Sequence, residues 1–216
     1  LLEKLPDLLW VKVGLELFVS CGPYILQDLR DQGKKIFLDL KFHDIPNTVA
    51  KACYQAAKTG ANLISIHSCA GSKALKMANQ AAIEGALEMK IPPPKLLAVT
   101  VLTSWGTNSF KREMMTKHNL ENRVNHLADL AFSSGIGGCV CSPHEVEALR
   151  NFYPESFELV TPGIRSIGAE IDDQARIMSP SKAIKLGATR LVVGRAITKA
   201  ADPLIAFEKI YKDICN

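Results

Sequence analysis

Ile36-Phe37-Leu38-Asp39-Leu40-Lys41-Phe42-His43-Asp44-Ile45-Pro46-Asn47-Thr48-Val49 reads as a short buried strand turning directly into a helix. Its first half is apolar except for Asp39 and Lys41. Side chains two residues apart share one face of a strand, so these two charges point the same way. Asp44 follows where the strand should end, and Pro46-Asn47 marks the turn. Two carboxylates and an ammonium are thereby drawn to one strand end. Burying such charges costs several kcal/mol per ion unless they are paired. Taken alone, Asp-x-Lys-x-x-Asp suits a structural ion pair as well as a catalytic group. The rest of the chain has to decide between them.

Working outward, strand-like runs at 9–13, 36–41, 63–67, 96–102, 138–141, 157–161 and 190–193 alternate with helical patterns at 48–59, 71–88, 123–134, 143–151 and 180–186. Regular β-then-α alternation predicts a parallel sheet with helices outside it. Pro92-Pro93-Pro94 breaks the helix before the fourth strand, and no composition shift divides residues 1–216 into separate domains. A closed (β/α)8 TIM barrel needs one strand more than this count. The chain opens on helix-like Leu1-Leu2-Glu3-Lys4-Leu5-Pro6, so the expected α/β fold is that barrel with its first strand lying before Leu1. A doubly wound open sheet is the alternative, and its G-x-G-x-x-G turn is absent.

Composition narrows the function. With 47% hydrophobic and 22% charged residues, the chain reads as a globular domain. Apolar runs such as Leu96-Leu97-Ala98-Val99 are strand-sized, too short for a membrane span, and the start lacks a signal-peptide pattern. The net charge of +4 is spread along the chain, which weakly favours an anionic substrate and leaves no nucleic-acid footprint. Cys21, Cys53, Cys69, Cys139, Cys141 and Cys215 form no C-x-x-C pair or zinc spacing, and they read as free thiols of a reducing cytosol.

A barrel carries its active site on the loops at the C-terminal ends of its strands. Those ends hold Lys12, then Asp39, Lys41 and Asp44, then His67, Thr103, Ser142, Arg165, Gly194 and Arg195. With the lost strand restored, Thr161-Pro162-Gly163-Ile164-Arg165 and Gly194-Arg195 follow strands seven and eight, where barrels commonly bind phosphate. The glycines permit close backbone approach, and the arginines add charge-assisted donors. The plainer reading makes both arginines ordinary surface residues. His43 and His67 have no carboxylate–His spacing for Mg²⁺ or Zn²⁺, so no metal is expected; His67 reads as a hydrogen-bonding residue of the barrel mouth. Leu and Met positions within 74–89 read as helix core.

On these residues the chain closely resembles the bacterial orotidine 5′-phosphate decarboxylases, enzymes of uridine monophosphate synthesis. The matching segments are 11–18 (Val-Lys-Val-Gly-Leu-Glu-Leu-Phe), 37–49, 99–104 (Val-Thr-Val-Leu-Thr-Ser), 140–142, 161–165, 173–176 (Asp-Gln-x-Arg) and 192–198, in family order. The resemblance implies that Lys12, Asp39, Lys41 and Asp44 form the catalytic charge network. It implies that Asp44 and Thr48 reach into the partner's site of a homodimer, and that Thr103 contacts the pyrimidine or its covering loop. Arg165, Gln174, Gly194 and Arg195 would grip the phosphate. The family's ribose-holding aspartate, on its first strand, has no counterpart after Leu1.

The implied reaction removes CO₂ from C6 of a nucleotide substrate without a cofactor. Lys41 would sit beside C6 and then supply its proton, held charged by Asp39 and by Asp44 of the partner subunit. Asp39 could also crowd the substrate carboxylate. The segment 166–173 reads as a loop that closes over the phosphate. Two rivals remain: a Mg²⁺-dependent sugar-phosphate enzyme of the same barrel group, and a catalytically silent phosphate-binding barrel.

Overall fold

Short β-branched and leucine-rich runs separated by glycine turns fold here as parallel strands, each returned by helical chain. The computed structural model describes residues 1–164 and 178–215. After a 3-10 turn (Leu2–Lys4) come β1 (Trp10–Gly14), α1 (Leu15–Cys21), α2 (Tyr24–Asp31), β2 (Lys35–Phe42), α3 (Pro46–Lys58), β3 (Leu63–His67), α4 (Ser72–Glu88) and β4 (Lys95–Val99). The chain continues through α5 (Thr107–Glu113), α6 (Leu120–Ser133), β5 (Gly138–Val140), α7 (Val146–Phe152) and β6 (Glu158–Thr161). It ends with α8 (Pro180–Lys185), β7 (Arg190–Leu191), α9 (Arg195–Thr198) and α10 (Pro203–Cys215). Hydrogen-bonded strand neighbours follow chain order from β1 to β7. Parallel strands in chain order, alternating with helices, place the fold in the (β/α)8-barrel class.

The chain groups into two compact units. The first comprises residues 8–99 and 127–139. Within it β1 pairs with β2 from Trp10↔Lys35 to Gly14↔Asp39, and β3 with β4 from Leu63↔Lys95 to His67↔Val99. Its core joins Ile36, Leu38, Ile64, Ile66, Leu96 and Ala98 of the sheet to Val49, Cys53, Ala57, Leu75, Ala78 and Ala82 of α3 and α4, all almost fully buried. Each such Leu or Ile contributes about 1.5–3 kcal/mol. Small residues let these helices approach closely: a Cβ on Gly85 would collide with the Tyr54 carbonyl. Cys53 lies inside this packing, and burial pushes its thiol up to about 12.

The apolar stripe of α4 is narrower than the sequence suggests. Leu75 is buried, but Leu87 and Met89 are exposed, because the face turned inward is the alanine and glycine series Ala74, Ala78, Ala82, Gly85 and Ala86.

The second unit comprises residues 1–7, 100–126 and 140–216. Thr100 donates from both its N–H and its hydroxyl to the Val140 carbonyl, at 3.3 and 3.0 Å. The Cys141 N–H reaches the Val160 carbonyl at 3.2 Å. β6 and β7 pair through Val160↔Arg190 and Thr161↔Leu191, with Glu158 and Arg190 joined as an ion pair beside them. Among the described residues no helix is long and apolar enough to cross a membrane.

Candidate active site

The register between β2 and β3 fixes the site. Pairing proceeds in step to Leu38↔Ile64 and resumes at Phe42↔Ile66. Residues 39, 40 and 41 therefore lie opposite Ser65 alone, three against one. Bulges of this kind re-aim side chains and are common beside active sites. Lys41 takes φ 53°, the left-handed region that a non-glycine residue enters only at a cost of about 1–3 kcal/mol.

Out of this bulge comes a compact charge cluster. Lys41 Nζ stands 2.9 Å from Asp39 Oδ2, and Lys12 Nζ approaches the same oxygen at 3.2 Å from β1. The other carboxylate oxygen, Oδ1, accepts the Ser65 hydroxyl at 2.8 Å. Ser65 Oγ in turn accepts the Lys41 N–H at 2.9 Å. Asp39 is only 7% exposed, whereas both lysines keep part of their side chains in solvent. Burial alone pushes the Asp39 carboxyl up. The ammoniums of Lys41 and Lys12, with hydrogen bonds from Lys41 and Ser65, outweigh it and hold the group below its ordinary value. Gly14 ends β1 beside them, and a Cβ there would stand 3.0 Å from Lys12 Nζ.

Asp44 does not join this cluster within its own chain, contrary to what the strand pattern suggests. The bulge and the turn into α3 carry it to the surface, where its carboxylate accepts the Ile45 N–H at 2.7 Å. Thr48 is likewise exposed, in the first turn of α3. His67 ends β3 with its ring 5.4 Å from that of His43, and His43 Nε2 lies 3.7 Å from the Cys69 thiol. Among the described residues the buried His67 Nδ1 has no partner, so the hydrogen bond expected of His67 is not made at that atom. Burial, with the nearby His43 and Lys41, pulls the His67 pKa down, and Asp39 only partly offsets this. Among the described residues no three His, Cys, Asp or Glu side chains gather to hold a metal ion.

In the second unit Thr103 is buried just beyond β4. Ser142 is also buried; its N–H donates to Glu145 at 2.8 Å, while its hydroxyl has no partner among the described residues. Gly194 caps α9 and is exposed, with open space where a Cβ would stand, and Arg195 begins the helix half-buried. Arg165, Gln174 and the segment 166–173 lie outside the described residues.

Ser65 and Gly14 are site residues that the sequence reading passed over. The available signal for Ser65 was a lone small polar residue in the apolar run Leu63-Ile64-Ser65-Ile66, two positions before His67. For Gly14 it was a glycine two residues after Lys12, on the same face of a strand.

The model of the orotidine 5′-phosphate decarboxylase / HUMPS family matches residues 1–210. The chain is 60% identical over 208 residues to an orotidine 5′-phosphate decarboxylase of Prochlorococcus marinus (strain NATL2A), spanning 96% of this chain and 86% of that protein. A counterpart from Prochlorococcus marinus (strain MIT 9211) is 58% identical over 213 residues, spanning 99% of this chain and 88% of that one. Among solved structures, the orotidine 5′-phosphate decarboxylase of Lactobacillus acidophilus superposes with a TM-score of 0.84 at 38% identity. That match covers 100% of this chain and 93% of the other.

Proposed function

The chain belongs to the orotidine 5′-phosphate decarboxylase / HUMPS family, and on that premise we propose how its residues divide the work. The reaction is decarboxylation of orotidine 5′-phosphate to uridine 5′-phosphate, a step of pyrimidine biosynthesis. The bond from C6 to the carboxylate carbon breaks, CO₂ leaves, and its electron pair stays on C6. Lys41 stabilises that developing carbanion with its ammonium and then donates the proton that completes the product, taking another from solvent. Asp39 holds Lys41 and Lys12 in register, and Lys12 reaches towards the ribose. These fixed charges supply the stabilisation, so no cofactor is needed.

The observation that carries this reading is the sharing of Asp39 Oδ2 by two ammoniums, at 2.9 and 3.2 Å. One carboxylate between two lysines leaves one chain's share of the cluster net positive, a charge that the partner subunit's Asp44 would balance while the Lys41 ammonium stays poised for the carbanion. Thr103 contacts the pyrimidine or its covering loop, while Arg165, Gln174, Gly194 and Arg195 take the phosphate. The phosphate does no chemistry, yet its binding energy can be used at the reacting carbon.

The protein acts as a homodimer in which Asp44 and Thr48 serve the partner subunit's site. Their exposure, and that of Ile45 at 67%, supports this. Residues 1–216 work as one decarboxylase domain, and the six free thiols suit the cytoplasm. The direct test follows loss of orotate absorbance from orotidine 5′-phosphate, with EDTA-treated protein and Lys41→Ala alongside. Turnover that survives EDTA and disappears in Lys41→Ala is expected. Turnover that EDTA abolishes would favour a Mg²⁺-dependent relative instead.

A further inference from the structure

We propose that Ser65 is a positioning residue for this reaction, its hydroxyl tying the Lys41 backbone to the Asp39 carboxylate so that proton donor and counter-ion move as one unit. Ser65 is fully buried. Its oxygen accepts the Lys41 N–H at 2.9 Å, and its single proton goes to Asp39 Oδ1 at 2.8 Å. A backbone N–H can only donate and an ionised carboxylate can only accept, so the direction of this relay is fixed. Both ends of the relay lie in the stretch of β2 that has no other residue of β3 opposite it.

Two consequences follow from that placement. The N–H engaged by Ser65 belongs to the residue with the left-handed backbone, so the hydroxyl holds the bulge in the conformation that aims Lys41. The oxygen engaged by Ser65 is the one the lysines leave, so Asp39 cannot rotate to offer Oδ1 to either ammonium without breaking this bond. Without the hydroxyl, Asp39 would keep two cations on one oxygen and a free oxygen facing a buried site. Lys41 would lose the contact that fixes its backbone. A hydroxyl that served the fold alone would change stability and leave the chemistry untouched.

The inference rests on Lys41 being the proton donor, and its test separates the two. Lys41→Ala is assayed first. Full turnover in that variant would overturn the donor assignment and this inference with it. If Lys41→Ala is inactive, Ser65→Ala is expected to lower kcat about tenfold or more, since a charge-assisted hydrogen bond is lost. KM should change by no more than about twofold, because Ser65 stands behind the charged residues and not against substrate.

The acid limb of the kcat profile should move to higher pH in Ser65→Ala. The groups facing Asp39 are Lys12 from β1, Lys41 on its own strand and Ser65 from β3, with the imidazoles of His67 and His43 beyond Lys41. Removing Ser65 takes away one of the donors that keep the carboxylate ionised. Ser65→Thr, which keeps the hydroxyl, should recover most of kcat and the original acid limb. Should Ser65→Ala not fold, Ser65→Cys decides, having similar volume and a weak donor. Wild-type kcat and an unmoved acid limb in a folded Ser65→Ala or Ser65→Cys would overturn the positioning role while leaving Lys41 in place.

Discussion

Lys41 Nζ meets Asp39 Oδ2 at 2.9 Å from a residue whose own backbone sits at φ 53°. An ordinary extended strand would place both side chains on one face but would not need that conformation. The chain carries a local cost of about 1–3 kcal/mol here, which surrounding contacts must offset. The ion pair and the hydrogen bonds through Ser65 are the contacts at hand.

Lys41 therefore invites two substitutions whose comparison separates chemistry from strain. Lys41→Ala and Lys41→Gly should each reduce turnover by at least about a thousandfold, since proton donor and carbanion stabiliser are lost together. Glycine enters the left-handed region freely, whereas alanine carries the same Cβ penalty as lysine. Lys41→Gly should accordingly be more stable than Lys41→Ala by about 1 kcal/mol. Denaturant titration of both proteins checks this, and an alanine variant as stable as the glycine one would show the backbone is unstrained.

Asp39→Asn removes the anion that two ammoniums share. Lys12 and Lys41 would then face each other without the carboxylate that both contact within their own chain. The carboxylate is nearly buried but both lysines are partly solvated, so the loss should be about 1–3 kcal/mol, below that of a fully buried pair. Turnover should fall about a hundredfold or more as Lys41 loses its anchor. Thermal unfolding and steady-state assays together test both halves of the claim.

Acid should weaken the fold through two groups in separate windows. Asp39 has a carboxyl held below its ordinary value of 3.8. Its contribution is complete above that value and is lost as pH falls from there through the lower folded value. His67 is also shifted downwards, from an ordinary 6.5, so the unfolded chain takes up its proton first. Stability should thus begin to fall as pH drops below about 6.5, and His67→Gln should remove that early decline. Asp39→Asn should flatten the later one. Urea midpoints measured across pH 3 to 8 would check both, and an early decline that persists in His67→Gln would assign it elsewhere.

The strands were legible in the sequence because each is a short apolar run between turn residues; β3 falls on 63–67 and β2 on 35–42, against the expected 36–41. Helices with weak periodicity were not. α1 buries none of its residues and exposes Leu15, Leu17 and Val19, so its pattern carries no core-facing stripe to detect. Lys12, Asp39 and Lys41 stood out as charges in apolar runs. The bulge did not, since the register of β2 is a property of its pairing with β3 and not of its own residues. Ser65 was hidden for the same reason: a serine in a strand becomes informative only once its opposite residues are known. Spacing drew Asp44 towards the cluster of its own strand, but the turn before α3 sends it outward, a placement that suits the partner-subunit role the family resemblance implies.

Gly85 tests the helix pair behind the site. A Cβ there would meet the Tyr54 carbonyl, a backbone atom that cannot swing aside. Gly85→Ala gains helix propensity, up to about 1 kcal/mol, but forces α3 and α4 apart at about 1–3 kcal/mol. The overpacking should win, giving a lower Tm. Turnover per folded molecule should change little, because α3 and α4 lie behind the sheet that holds Asp39 and Lys41. A higher Tm would mean that the helices separate freely.

The shared site makes a prediction that neither subunit can satisfy alone. If Lys41 acts in its own chain and Asp44 in the partner subunit's site, Lys41→Ala and Asp44→Ala homodimers each have two defective sites. Mixed by unfolding and refolding in equal amounts, they form hybrids whose two sites differ. One site carries both substitutions, and the other carries neither. With two-fold dimers assorting at random, about half are hybrids and about a quarter of all sites are intact. Activity should rise from near zero to about a quarter of wild type. No recovery, in mixtures that demonstrably contain hybrid dimers, would place Asp44 in its own chain's site or outside catalysis altogether.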